Sequence, residues 1–267
     1  MVLQYAFMVN AFAATFIVAV VAGSVGYFLV MRGQAFAAHA MSHVGFAGAT
    51  GAVLIGLTPF VGLTIFTLLA GLGIGLMGDR AQSRDVAIGM VLALSLGLGL
   101  LFLHFYTSFA GQATALLFGN VLGVARDTVW AMLVLGICAL VILAVIARPL
   151  AFASLQPELA DARGIAPKTV GTVFMLLVAL AVSESVQVVG ILLVFTLMIA
   201  PPAAAMRLTS HMSTGIALSI SFALAQAWFG LILAYYTGWP TTFWITLLGA
   251  AVFIVSSAIV HLKSNLF

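Results

Sequence analysis

Residues 33–78 read GQAFAAHAMSHVGFAGATGAVLIGLTPFVGLTIFTLLAGLGIGLMG, a run that contains no Asp, Glu, Lys or Arg. A helix that crosses the hydrocarbon core of a bilayer needs about 20 predominantly apolar residues. The run holds two such lengths, separated at Thr58–Pro59. It therefore predicts two membrane-spanning helices, in which His39 and His43 are the only histidines and the only strongly titratable side chains.

The rest of the chain extends this pattern. Hydrophobic residues make up 64% of the sequence and charged residues only 6%, whereas a soluble domain carries about a quarter charged residues. The net charge of +3 comes from isolated basic residues at segment ends, so it does not indicate nucleic-acid binding. We predict an all-α, polytopic transmembrane helix bundle that forms a single domain over residues 1–267. Charges, prolines and polar clusters divide it into nine spans, with eight as the alternative: 5–30, 36–57, 60–77, 86–106, 128–147, 168–183, 187–206, 215–236 and 241–261.

Basic residues in the short connections predict the orientation, because Lys and Arg are enriched on the cytoplasmic side. With nine spans and the first connection inside, only Arg126 falls outside, which places the N-terminus outside and the C-terminus inside. The cytoplasmic set is then Arg32, Arg80, Arg84, Arg148, Arg163, Lys168, Arg207 and Lys263. The connection 112–127 is predicted to hold a short interfacial helix at 116–124.

His39 and His43 carry the clearest chemistry in the sequence. Residues four apart project from the same face of a helix, and neutral imidazole is a ligand for zinc, copper, iron or nickel. Two ligands are too few for a closed tetrahedral zinc site, but a transported ion has to leave its site again. The alternative is that both histidines bond to neighbouring backbone or serine groups and only position helices. Both interpretations remain open at this point.

Glu184 is the other candidate within the apolar regions. It follows the predicted span 168–183, at the outer end, where it is either a solvated turn residue or an acid that receives a cation at a pathway mouth. A secondary transporter driven by an ion gradient requires intramembrane acids, and only Glu184 qualifies, so that function is the rival hypothesis. The sequence has no phosphate-binding Gly-x-x-x-x-Gly-Lys-Ser/Thr loop, no His-Glu-x-x-His and no Gly-x-Ser-x-Gly. It therefore predicts no enzyme in this chain, and any ATP hydrolysis would occur in a separate subunit.

Two cytoplasmic segments have the features of short docking helices. Residues 155–164 place Pro157 and Glu158 early, Arg163 late and Gly164 last, the signals of a short helix. Residues 200–209 contain Pro201 and Pro202 after an unbroken apolar run, which predicts a disturbed helix before Arg207. The alternative for each segment is an ordinary interfacial connector.

Several of these stretches, in this order, resemble the permease subunits of zinc/manganese-type ABC importers. The resemblance covers most of the chain, and it rests on the following strings: Val30–Gly33 (VMRG), Ala38–His43 (AHAMSH), Leu116–Asn120 (LLFGN), Pro157–Gly164, Val189–Val194 (VGILLV) and Pro201–Ala205 (PPAAA). It implies a multi-pass protein of a bacterial plasma (inner) membrane, surrounded by lipid, that pairs with a second permease copy. It further implies two cytoplasmic ABC ATPase subunits and a periplasmic or extracellular protein that delivers the metal.

The resemblance also assigns residues. It implies that His39 and His43 face the translocation path. Glu184 stays a further candidate ligand on the chemistry of its own side chain, and no permanently bound cofactor is expected. Glu158, Arg163, Pro201, Pro202 and Arg207 are the expected ATPase-coupling residues. His39 stands where the family usually has Asp, and an imidazole nitrogen in place of a carboxylate oxygen favours zinc over manganese. The expected cargo is therefore a divalent transition metal, most favourably zinc, with manganese or iron as alternatives.

Overall fold

The computed structural model describes residues 4–77, 81–105, 111 and 116–264. Within these ranges the chain forms nine long helices, one short helix and a 3-10 turn at Val121–Gly123, with a further helical stretch at 116–118 and without any strand. The helices are α1 Ala6–Met31, α2 Ala35–Leu54, α3 Pro59–Met77, α4 Ala81–Phe105, α5 Arg126–Leu155, α6 Pro157–Ala162, α7 Pro167–Val189, α8 Ile191–Leu208, α9 Met212–Thr237 and α10 Thr241–Ser264. The predicted all-α bundle is confirmed, and each of the nine predicted spans overlaps one long helix.

Eight of these helices are long and apolar enough to cross a membrane on length and composition. The ninth, α2, has 20 residues but is rich in alanine and glycine and carries both histidines. It packs against α3, α4, α7 and α8 and is buried along most of its length. Because protein surrounds it, α2 does not need the hydropathy of a lipid-facing span.

One predicted boundary is wrong. We expected the chain to leave its sixth span near Ser183 and to enter the seventh at Gln187, but α7 continues to Val189. The break falls at Gly190, whose φ of 80° lies in the left-handed region that favours glycine. The polar run Ser183–Ser185 is buried, so it faces other helices rather than marking a loop.

A second expectation is also corrected. Pro201 and Pro202 lie inside α8, which runs without interruption from Ile191 to Leu208, so residues 200–209 do not form a separate short helix. By contrast, the expected short helix after Gln156 is present as α6, with Pro157 in its first turn. Proline in a transmembrane helix is tolerated where neighbouring groups satisfy the freed backbone.

The centre of the bundle is formed by α1 and α7, which pack between the other helices. Small residues allow backbones to approach closely in membrane proteins. A Cβ on Gly26 of α1 would overlap the carbonyl oxygen of Met198 in α8, and one on Gly48 of α2 would overlap that of Gly62 in α3. Glycine is therefore required at these two contacts. Further from the centre, α4, α5 and α10 keep most of their apolar surface exposed.

The two ends of the bundle differ chemically. At one end, which we call the basic end, Arg32 closes α1 and donates to Ser154 near the end of α5 (Nη1–Oγ 2.8 Å). A Cβ on Gly171, near the start of α7, would lie 3.2 Å from the same guanidinium, so these three helix termini share one end. Arg80 lies outside the described residues, as do Asp79 and most of the connection 106–115.

At the opposite end, which we call the aromatic end, large rings cluster where α9 turns into α10. Trp239 and Trp244 stack with ring centroids 5.6 Å apart, and Trp244 Nε1 donates to Thr237 Oγ1 at 2.9 Å. Tyr235 and Tyr236 lie just before this turn. Tryptophan and tyrosine are enriched at membrane–water interfaces, so the aromatic end marks one boundary of the membrane.

Candidate metal site

His39 and His43 lie one turn apart in the first half of α2. Their imidazole ring centroids are 4.8 Å apart and the rings are nearly perpendicular, at 83°. The predicted helical adjacency of the two side chains is therefore confirmed, and both rings are close enough to contact one ion.

The hydrogen bonds around the pair bear on whether the histidines are merely structural. The Nδ1 atoms of both rings are buried and have no hydrogen-bond partner. Ser42 does not serve them, because its hydroxyl donates to the His39 backbone oxygen at 2.7 Å. Buried polar atoms almost always have partners, so the two Nδ1 atoms are available to a water, a donor group or a metal ion that this chain does not itself supply.

Aromatic side chains flank the pair. The Phe195 ring of α8 meets the His39 ring edge to face, with centroids 5.0 Å apart, and the centroid of the Phe36 ring lies 6.4 Å from that of His39. His43 is only 8% exposed, whereas His39 is partly open. The pair thus has one buried and one more accessible imidazole.

No third ligand completes the pair within the part of the chain that the structure describes. Those residues contain no cluster of three or more His, Cys, Asp or Glu side chains that could hold a metal ion. One chain therefore supplies two nitrogens, and a four-coordinate ion would need further ligands from water, from a second copy or from another conformation.

Glu184 is not brought together with both histidines. It lies in α7, only 2% exposed, and its Oε1 has no hydrogen-bond partner. A Cβ on Gly136 of α5 would lie 3.2 Å from this oxygen, and the same position is bordered by Ile17 and Val21, near the middle of α1. The interpretation of Glu184 as a solvated turn residue is therefore wrong, because the carboxyl group is enclosed between three helices.

The expected coupling residues divide by exposure. Glu158, Arg163 and Arg207 are exposed, but Pro201 and Pro202 are buried inside α8. Both arginines rest on phenylalanine rings of their own chain: Arg207 lies 4.9 Å from the ring centroid of Phe253 and Arg163 lies 5.5 Å from that of Phe152. Such cation–π contacts favour these side-chain positions near the basic end by about 0.5–1 kcal/mol each.

Sequence reasoning missed two features. Phe195 gave no signal, because one aromatic residue in an apolar run does not reveal its partner on a distant helix. Gln226 of α9 is 2% exposed, and neither its amide nitrogen nor its amide oxygen has a partner. A polar residue inside a predicted span could have flagged Gln226 as facing the protein interior.

Comparisons with known proteins agree with this architecture. The chain is 32% identical over 237 residues to the manganese transport system membrane protein MntC of Listeria monocytogenes, covering 87% of this chain and 83% of the relative. It is 29% identical to a probable iron transport system membrane protein of Haemophilus influenzae, covering 96% and 94%.

A similar solved structure is PsaBC from Streptococcus pneumoniae in complex with Fab, with a TM-score of 0.85 and 28% identity, covering 96% of this chain and 92% of that one. Residues 4–260 match the model of the ABC 3 transport family. The chain is therefore a multi-pass membrane permease that belongs to the ABC 3 transport family.

Proposed function

We propose that this chain is the membrane permease subunit of an ATP-driven importer of a divalent transition metal, most favourably zinc. In this proposal His39 and His43 line the translocation path and bind the ion. The observation that carries the proposal is the pair of imidazole rings 4.8 Å apart whose buried Nδ1 atoms have no partner. Family membership and relatives named for manganese and iron transport support a metal cargo.

The proposal of zinc follows from the ligand atoms. Manganese prefers oxygen ligands, whereas imidazole suits zinc, copper, iron and nickel. The pair presents only nitrogen donors, and no Asp or Glu of the described residues joins it in a metal-binding group. Relatives named for manganese and iron keep those two metals as alternatives.

The histidine pair of one chain supplies only two of the ligands that a metal ion needs, and this bears on which partners we propose. A second copy of the chain that brings its own histidine pair would raise the number of imidazoles to four, the coordination number of zinc. ATP hydrolysis is assigned to separate cytoplasmic subunits, which would dock against the exposed Glu158, Arg163 and Arg207 at the basic end. A periplasmic or extracellular metal-binding protein would deliver the ion at the aromatic end.

Radioactive zinc uptake tests the site in cells that lack other zinc importers. We expect the His39→Ala, His43→Ala double variant to lose uptake while it still assembles with its ATPase. The matched control is His104→Ala, because His104 is exposed near the end of α4 and has no place in the pair. Unchanged uptake in an assembled double variant would contradict the assignment of the site.

A second variant tests the metal. His39→Asp replaces one nitrogen donor with a carboxylate oxygen, and we expect the preference to move from zinc toward manganese. Competition between the two metals in the same uptake assay measures this change. An unaltered ratio of zinc uptake to manganese uptake would show that the residue at position 39 does not determine the metal preference.

The rival function is a secondary transporter driven by an ion gradient, and one observation favours it. Glu184 is an enclosed carboxyl group among membrane-spanning helices, which is where an ion-coupled transporter places its acids. Uptake in the absence of any ATPase subunit, abolished by Glu184→Gln, would establish the rival. Dependence of uptake on a co-purifying ATPase would exclude it.

A further inference from the structure

We propose that Phe195 is a positioning residue for His39, and that an interlock of two glycines, Gly119 and Gly190, holds Phe195 in place. The inference rests on the proposed function, since it concerns how well the histidine pair binds its metal. The proposal assigns a role to residues 116–125, the described part of the connection between α4 and α5 that precedes α5.

The interlock joins this connection to the start of α8. Gly119 and Gly190 both have a φ of 80°. A Cβ on Gly119 would lie 2.6 Å from the Val189 oxygen and 2.7 Å from the Gly190 nitrogen. A Cβ on Gly190 would overlap the Gly119 nitrogen and would lie 2.8 Å from the Leu117 oxygen. The two backbones are thus in direct contact, and neither position has room for a methyl group.

The connection is itself held to the bundle. Asn10 of α1 donates from Nδ2 to the Val124 oxygen at 3.2 Å, and Val121 and Val124 are buried against the core. The contact at Gly190 is therefore made by a fixed part of the molecule. Because α8 begins at Ile191, this contact sets the position of the first turn of α8.

Phe195 lies about one helical turn after Ile191, so the position of its ring at the histidine pair depends on where α8 begins. Its ring meets the His39 ring edge to face at 5.0 Å and an interplanar angle of 66°. The Nδ1 atom of His39, which the proposed function assigns to the metal, has no partner in this chain that would hold the imidazole in one orientation. Histidine ligands are normally oriented by a hydrogen bond at the nitrogen that does not bind the metal, and the ring contact with Phe195 adds a packing restraint on the same rotation.

Zinc binding to the chain in lipid nanodiscs tests the proposal, with Zn²⁺ as the probe in a calorimetric titration. Outer-sphere changes at metal sites typically weaken affinity by about 10-fold or more. We expect this loss for Phe195→Leu, which keeps an apolar side chain at a half-buried position. We expect a similar loss for Gly119→Ala. X-ray absorption should show fewer nitrogen ligands, or more disordered ones, on zinc bound to both variants.

Gly238→Ala is the matched control. Gly238 also has a positive φ, of 70°, but a Cβ there would meet nothing within 4 Å. Alanine therefore imposes a similar backbone strain without touching a neighbour, and we expect zinc affinity to stay unchanged. Thermal unfolding of each variant shows whether it is folded, and Phe195→Leu remains informative if Gly119→Ala does not fold.

The double variant Phe195→Leu, Gly119→Ala separates a linked mechanism from two independent defects. Residues that act through one contact are non-additive, so the double variant should bind no more weakly than the worse single variant. Additive losses, or full zinc affinity in Phe195→Leu, would overturn the proposal. If His39→Ala also leaves zinc binding unchanged, the proposed site itself fails, and the two failures are thereby distinguished.

Discussion

Alanine at Gly71 tests the close packing of α3 against α7. A Cβ on Gly71 would lie 2.8 Å from the Met175 oxygen and 3.0 Å from the Ala179 Cβ. The Met175 oxygen belongs to a helix backbone, so α7 must retreat by about 0.6 Å to restore an ordinary contact of 3.4 Å. Overpacking of this kind costs about 1–3 kcal/mol.

Gly73→Ala is the control on the same helix. Gly73 lies two residues further along α3, and a Cβ there would meet nothing within 4 Å. Both variants gain the same helix propensity, up to about 1 kcal/mol, so the difference between them isolates the steric term. For a chain of this size 1 kcal/mol shifts Tm by about 2–4 °C. We expect Gly71→Ala to melt roughly 2–12 °C below Gly73→Ala.

Thermal unfolding of the purified chain in one detergent, followed by intrinsic fluorescence, measures this difference. The two proteins carry the same added methyl group, so detergent binding and composition do not separate them. Equal melting temperatures would refute the reasoning, because they would mean that α3 and α7 are not in backbone contact at Gly71.

Three further predictions concern individual groups. Ser219→Ala removes the bond from its hydroxyl to the Gly23 oxygen (2.7 Å) between α9 and α1 and should cost about 0.6–1.7 kcal/mol in detergent unfolding; no change would mean that the bond is not formed. Metal binds imidazole only in its neutral form and displaces protons, so zinc affinity should fall as the pH is lowered from neutral far enough into the acid range to protonate the pair, and an affinity that stays constant throughout would argue against His39 and His43 as ligands. Glu184→Met removes a buried oxygen without a donor and should raise the melting temperature; a lower Tm would reveal a partner for the carboxyl group.

The number of helices followed from the sequence because each apolar segment is long enough to span a bilayer by itself. The boundary at Gly190 did not, because Ser183–Ser185 looks like a polar turn when only composition is considered. In a membrane bundle such residues bond within their own helix, as Ser185 does to the Ala181 oxygen at 2.6 Å. Polar residues in an apolar run therefore indicate an interior face as readily as a loop.

For the candidate site, too, the sequence predicted the local geometry but not the contacts between distant helices. The adjacency of His39 and His43 follows from their spacing in one helix. The contact with Phe195 depends on how α2 packs against α8, and the enclosure of Glu184 depends on the space left by Gly136. Both are properties of distant segments in contact, which no local pattern in the sequence encodes.

The aromatic end has a mechanical consequence for α9 and α10. Rings held at the membrane–water boundary resist vertical displacement, so a tilt of this helix pair would turn about a point near Trp239 and Trp244. Helix α9 has 26 residues, about 39 Å at 1.5 Å per residue. A tilt of about 5° at the pivot would carry its far end by about 3 Å at this length. Such a tilt would displace the pair most at the basic end, where Arg207 lies over the ring of Phe253 in α10.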